Sequence, residues 1–275
     1  MNNVSIAYRI YPKVSKVPPV FTNDKYNLSS LCLKSFKDSL GSLKVKIWVL
    51  LDNCPKEYEE LFRSHFSSEE LEFLYLQSVG NKGTFELQMK ILLEQDFSQY
   101  VYFAEDDYFY LPDQFVSMVK FLSENPDVDF ISPYDHLDYY NLDLHKHDNL
   151  IRIANGKHWR TANSTCLTFL TKKNILQETK SVFNSYMDGN YDASLWISLT
   201  KKKVLNGKAI VQYFFKDKFL YDVVKQAWLK CWKQIIFGRK FSLWVPIPSA
   251  ATHMDSNYLS PNVDWIHLMN SEKES

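Results

Sequence analysis

An α/β fold, with a mostly parallel sheet flanked by helices, is predicted by three features of this chain. Up to Tyr110, short runs rich in β-branched and aromatic residues alternate with segments of helical period. Those runs are continuously apolar rather than alternating, which is the pattern of strands buried on both faces. Between them stand turn and cap signals: Pro12, Gly41, Asn53-Cys54-Pro55 and Gly80-Asn81-Lys82-Gly83.

Taken in order, Val4 to Tyr11 is a first strand, closed by Pro12 and Pro18-Pro19. A helix runs from Asn27 to Leu40, with Leu28, Leu31, Cys32, Ser35 and Phe36 at helical spacing and Gly41 after its end. Val45 to Leu51 is the second strand and stops at Asp52. Pro55 suits the start of the helix Glu57–Phe66. Leu71 to Leu76 is the third strand, and Thr84 to Gln95 an amphipathic helix with Phe85, Met89, Leu92 and Leu93 inward. Tyr100 to Tyr110 is read as the fourth strand. Further on come a helix over Gln114–Glu124, strands over Val128–Ser132 and Asn163–Leu170, a helix over Lys173–Glu178 and a turn leading into a helix at Asp192. With right-handed crossovers, the loops carrying Arg9, Asp52, Lys82 and the acids after Ala104 align along one sheet edge.

Composition narrows the function. The 275 residues are 45% hydrophobic and 16% aromatic, enough for a large core, and 32 basic residues balance 32 acidic ones. A neutral chain lacks the basic excess of a bulk nucleic-acid binder, so no nucleic-acid partner is expected. Cys32, Cys54, Cys166 and Cys231 are scattered without zinc or redox spacing and are expected as reduced core residues. Val4 to Ile10 reads as a strand rather than a leader peptide, and no apolar run reaches membrane-spanning length. A cytoplasmic protein is the expectation.

Glu105-Asp106-Asp107, directly after the strand-like Tyr100–Ala104, carries the chemistry. Three adjacent acids repel one another, so a compensating cation is expected, and hard oxygen ligands suit Mg²⁺ or Mn²⁺. Gly80 and Gly83 lack the spacing of a phosphate-binding glycine loop, so metal and Lys or Arg would have to neutralise phosphates. His136, His145, His147 and His158, with nearby Asp residues, fit no metal spacing and read as a solvated loop.

In this order the motifs resemble a nucleotide-sugar glycosyltransferase of the GT-A type, close to the family 2 pattern, with a Rossmann-type sheet. The resemblance covers about residues 4–200 plus His253 and rests on the β-α-β opening ending in Asp52, Asn81-Lys82-Gly83, Glu105-Asp106-Asp107 as a D-x-D-like motif, and Tyr191-Asp192 before Leu195-Trp196. Glu105 in the first D-x-D place departs from the family. The resemblance implies a nucleotide-diphosphate sugar donor and a base-binding edge of Tyr8, Arg9, Asp52 and Lys82. Asp107 would touch Mn²⁺ or Mg²⁺, Glu105 or Asp106 the ribose or a metal-bound water, and His253 would complete the coordination. Asp192 would be the general base of an inverting transfer, with Asp188 its rival; a helix cap is the plain alternative for Asp192. Residues 1–210 would form the catalytic domain and 211–275 a C-terminal helical extension completing the active site. The acceptor would be a glycan or a lipid-linked saccharide. Two other classes would place acids at a strand end as well: a metal-dependent nucleotidyltransferase or phosphoesterase, and a non-catalytic carbohydrate-binding module.

Lys216 to Lys240 has helical period, with Leu220, Val223, Val224, Ala227 and Trp228 on one side and an excess of lysine. Such a helix either packs on the catalytic domain or lies in a membrane headgroup layer, with Trp228, Trp232 and Phe237 as interfacial aromatics. The second reading places the protein peripherally on the inner face of a membrane.

Overall fold

The computed structural model describes residues 3–146 and 148–274; His147 lies outside them. The first half alternates as expected: β1 Asn3–Ile10, α1 Lys25–Leu40, β2 Lys44–Asp52, α2 Glu57–His65, β3 Leu71–Leu76, α3 Gly80–Glu94 and β4 Tyr100–Glu105. Asp24 starts α1 by accepting the Asn27 backbone N–H at 3.0 Å. Gly41 ends it at φ 56°, where a Cβ would stand 2.7 Å from Asp113 Oδ1, so the position needs glycine. The chain continues through β5 Tyr108–Tyr110, α4 Gln114–Glu124, β6 Phe130–Ile131, α5 Asp138–Asn141, β7 Ile151–Ala154, β8 Lys157–Ala162 and β9 Phe169–Lys172. It closes with α6 Lys173–Asn184, α7 Asp192–Thr200, α8 Gly207–Lys216, α9 Lys218–Phe237, β10 Leu243–Ile247, β11 Ala251–His253 and α10 Trp265–Glu274.

Nine strands form one sheet in the order β3-β2-β1-β4-β9-β6-β10-β8-β7. All but β8 and β9 run in the same direction. Side-chain alternation divides the core in two. Val4, Ile6, Tyr8 and Ile10 of β1 and Tyr100, Tyr102 and Ala104 of β4 meet α1, α2 and α4. Ala7, Val101 and Phe103 meet α3, α6 and α7 on the other face. The fold is therefore a mixed α/β sheet covered by helices on both sides, as its apolar runs predict.

Four expectations are corrected. Tyr100–Tyr110 is not one strand: β4 ends at Glu105, and β5 leaves the main sheet to pair with β11. Residues 163–168 are irregular, and the strand there is β9. Helix α3 begins at Gly80, so Asn81-Lys82-Gly83 lies in its first turn rather than in a loop. Its early start follows from Asp52, whose carboxylate accepts the Val79 and Gly80 N–H groups, both at 2.9 Å. Finally, 211–275 is not helical throughout: beside α9 and α10 it supplies β10, which sits between β6 and β8 inside the sheet. No local signal separates a five-residue apolar strand that pairs across the molecule from a buried loop.

Candidate active site

Chain order reverses at β1. Its crossover through α1 leads to β2 on one side, while the crossover from β3 through α3 leads to β4 on the other. Open α/β sheets carry their ligand crevice outside the strand ends at such a switch point. A cleft of about 530 Å³ lies there, lined by Arg9 and Ile10 at the end of β1, Asp52 at the end of β2, the turn after β4, Asp192 and His253. Buried Gln88 of α3 donates to the carbonyls of Ala7 at 2.7 Å and Ala104 at 3.1 Å, tying both strands to the helix just below the crevice.

The three acids do not share one cation; each has its own. Glu105 pairs with Arg9 and accepts the Thr168 hydroxyl at 2.5 Å. Asp106 pairs with buried Lys25 at 2.8 Å and accepts the Tyr11 backbone N–H at 3.1 Å. Asp107 Oδ2 lies 3.1 Å from His253 Nε2. Arg9, Lys25 and His253 come from three separate segments, so the repulsion evident in the sequence is answered by tertiary structure. Strand β11 makes the last pair: His253 is opposite Tyr108 in its ladder with β5, and Asp107 C=O accepts the Met254 N–H at 2.8 Å.

Asp107 differs from its neighbours, because its Oδ1 is buried with no hydrogen-bond partner. A buried carboxylate oxygen without a partner is costly unless a ligand supplies one. Among the described residues no group of three His, Cys, Asp or Glu side chains forms a complete metal cage. Mg²⁺ and Mn²⁺ sites that act on diphosphates do not need one, since one or two protein ligands combine with phosphate and water oxygens. Asp107 and His253 fit that donor set.

Burial opposes the charge of both partners, yet their mutual attraction prevails. His253 is raised above its ordinary value and Asp107 is held well below the carboxylate range. The raised histidine contributes stability that is full below its unfolded pKa and is lost as pH rises through its folded one. The depressed aspartate contributes stability above its unfolded pKa, lost as pH falls through its folded one. Unfolding of wild type against His253→Gln should therefore differ most between pH of about 4 and about 6.5. The difference, about 1–3 kcal/mol, should shrink toward alkaline and strongly acid pH. A pH-independent difference would show that the histidine stabilises by packing alone.

Asp192 stands in the first turn of α7, on the cleft wall. The N-cap is Tyr191, with no side-chain cap bond, and the Asp192 carboxylate accepts its own backbone N–H at the helix start. Burial raises its pKa, and the negative charge of Glu105 adds to the rise. Asp188 is exposed in the preceding turn and does not line the cleft. Two other expected residues lie away from the cleft. Tyr8 is buried between Phe36 and Phe62, with ring centroids 5.3 and 5.1 Å away, because its place in β1 aims it at the opposite face from Arg9. Lys82 is outside the lining, its Nζ instead near Gly189 in the turn before α7. Asp52 lines the cleft, but both its oxygens hold the start of α3.

The cleft also contains residues that sequence reasoning missed: Lys13, Lys16, Lys25, His136, Tyr186 and Tyr258. Lys13 and Lys16 belong to the irregular segment after β1, where no periodicity marks a functional side chain. Lys16 is near enough to act electrostatically on both Asp192 and His253. His136 accepts the Asp138 N–H on Nδ1 at 3.0 Å, and burial lowers its pKa to about 4. It is thereby a neutral ring that carries its proton on Nε2. His145 instead packs on Tyr139 at 4.8 Å and His158 lies on β8.

Comparison with known proteins gives partial likenesses. The sequence pattern of a family described as putative phage abortive infection protein matches residues 39–100. Among solved structures, S. aureus TarS 1-349 in complex with UDP-GlcNAc is similar at 11% identity and a TM-score of 0.44, over 65% of this chain and 48% of that one. A structure of S. aureus TarS 1-349 alone is similar at 10% identity and a TM-score of 0.41, over 65% of this chain and 49% of that one. A CMP:2-keto-3-deoxy-manno-octonic acid synthetase complexed with CTP is similar at 6% identity and 0.39, over 68% and 83%. The chain thus matches about half the length of the TarS structures.

Proposed function

We propose that this protein transfers a sugar from a nucleoside-diphosphate sugar to a glycan or lipid-linked saccharide acceptor, with inversion at the anomeric carbon. The reading is supported by one observation: at the β1/β4 switch point, Asp107, which has one buried and unpartnered oxygen, lines the same cleft as Asp192. Lys13, Lys16 and Arg9 supply positive charge for the diphosphate, in place of a glycine loop. Asp107 and His253 would hold Mg²⁺ or Mn²⁺, which when bound stabilises the charge developing on the departing nucleoside diphosphate. Asp192 accepts the proton of the attacking acceptor hydroxyl, and its raised pKa makes it the better base for that transfer. Glu105 fixes Arg9, and Asp106 fixes Lys25 and the backbone at Tyr11, so both acids set the shape of the donor side.

Calorimetric titration with UDP, GDP and TDP, each with and without Mn²⁺, tests the reading. The expected result is metal-dependent binding of one diphosphate. Binding of none of them in either condition would overturn it. Release of pyrophosphate from a nucleoside triphosphate, without a sugar acceptor, would instead assign the cleft to nucleotidyl transfer.

A further inference from the structure

Helix α9 packs on α7 through Leu220, Val223, Val224, Ala227 and Ile235, in a cluster with Ile197 and Val204. The Trp228 indole N–H donates to Val204 C=O at 3.1 Å, and the Ser194 hydroxyl to Val223 C=O at 2.7 Å. The apolar face legible in the sequence is therefore used in packing, and Trp228 with it.

A different apolar set remains outside. At the α8–α9 corner Phe214 and Phe215 are 59% and 77% exposed, their ring centroids 5.0 Å apart, and Phe219 follows at 59%. On α9, which kinks at Cys231, Leu229 before the kink and Trp232, Ile236 and Phe237 after it are all exposed. Basic residues interleave with them. In this chain of zero net charge, residues 207–240 contain Lys208, Lys216, Lys218, Lys225, Lys230, Lys233, Arg239 and Lys240 against only Asp217 and Asp222. Asp217 is occupied in starting α9, accepting the Leu220 N–H at 3.1 Å, and Arg239 is engaged by Asp129 and Glu178.

We infer that the α8–α9 corner and the outer face of α9 dock on an anionic lipid surface, with Phe214, Phe215, Phe219, Trp232 and Phe237 in the headgroup–acyl boundary. The charge chooses the occupant. Aromatic and aliphatic side chains set among unpaired-sign lysines match a layer that is apolar below and negative above. A second copy would bring two lysine-rich faces together, which like-charge repulsion opposes. Among the described residues no helix is long and apolar enough to cross a membrane, so this contact is with the surface. It does not depend on the proposed sugar transfer.

The test is co-sedimentation of the full chain with phosphatidylcholine vesicles, alone or with roughly one-third phosphatidylserine, at low and high salt. Binding is expected with the anionic vesicles and should weaken as salt rises. Phe215→Glu with Phe237→Glu, or Lys216→Glu with Lys218→Glu, should each lower partitioning at least about tenfold. All four residues are exposed, so near-ultraviolet dichroism and thermal melting should stay at wild-type values. Tyr75→Ser, at an exposed site on β3, should change nothing. Absence of binding to anionic vesicles at low salt would overturn the inference. So would concentration-dependent dimerisation abolished by Phe215→Glu, which would assign the face to a second copy. Repeating the assay without nucleotide separates this result from the donor-binding reading.

Discussion

Asp107→Ala should abolish metal-dependent transfer, lowering turnover roughly a hundred- to a thousandfold while leaving the fold intact. Glu105 and Asp106 cannot take its place. Both Glu105 oxygens are held by Arg9 and Thr168, and Asp106 is drawn toward Lys25 and the Tyr11 amide. Asp107 instead brings an unpartnered oxygen and the neighbouring His253 to the same point. The fold should survive because loss of Asp107 leaves a histidine that can discard its charge, unlike a stranded arginine or lysine. Initial rates across a Mn²⁺ titration, with a thermal melt as the fold control, give the measurement. Normal turnover by the variant would remove Asp107 from the proposed chemistry altogether.

Asp192→Asn should keep donor affinity within about twofold and reduce transfer about a hundred- to ten-thousandfold, the range of a lost general base. Asparagine preserves the volume and polarity at the start of α7 but cannot take a proton. Single-turnover rates and calorimetric donor binding, measured on the same preparation, separate the two effects. Wild-type turnover should also fall on the acid side as Asp192 protonates, at a pH above that of an ordinary aspartate. Loss of donor binding in Asp192→Asn would move the residue into the nucleotide site and leave the reaction without a named base.

Much of the fold was legible because it is local. Strands β1 to β4 and the helices between them follow from continuous apolar runs and 3.6-residue periodicity, which neighbouring residues alone establish. The position of the cleft was legible for the same reason: alternating strands and helices force a switch point, and the acids stand at the end of the strand beside it. Lys25 and Tyr11 were not, since neither the first turn of α1 nor the loop after β1 marks which side chain will reach Asp106. The helix-holding part of Asp52 was not legible, because an aspartate that faces a cleft and one that holds a helix start look alike until its partners are known. The outward residues of 216–240 were only partly legible for a related reason. Helical period identifies an apolar face, but α9 has one face against α7 and another outside, and only burial tells them apart.

By itself, then, the sequence determined an α/β sheet with an acid cluster at the end of its fourth strand, because period and composition are properties of neighbours along the chain. The tertiary structure decided what the acids are. Arg9, Lys25 and His253 reach Glu105, Asp106 and Asp107 from 96, 81 and 146 positions away along the chain, and such pairing depends on how strands and helices are placed in three dimensions. It also decided that β10 returns to the main sheet and that β11 pairs with β5 outside it, since β pairing is settled by the partner strand and not by the segment itself.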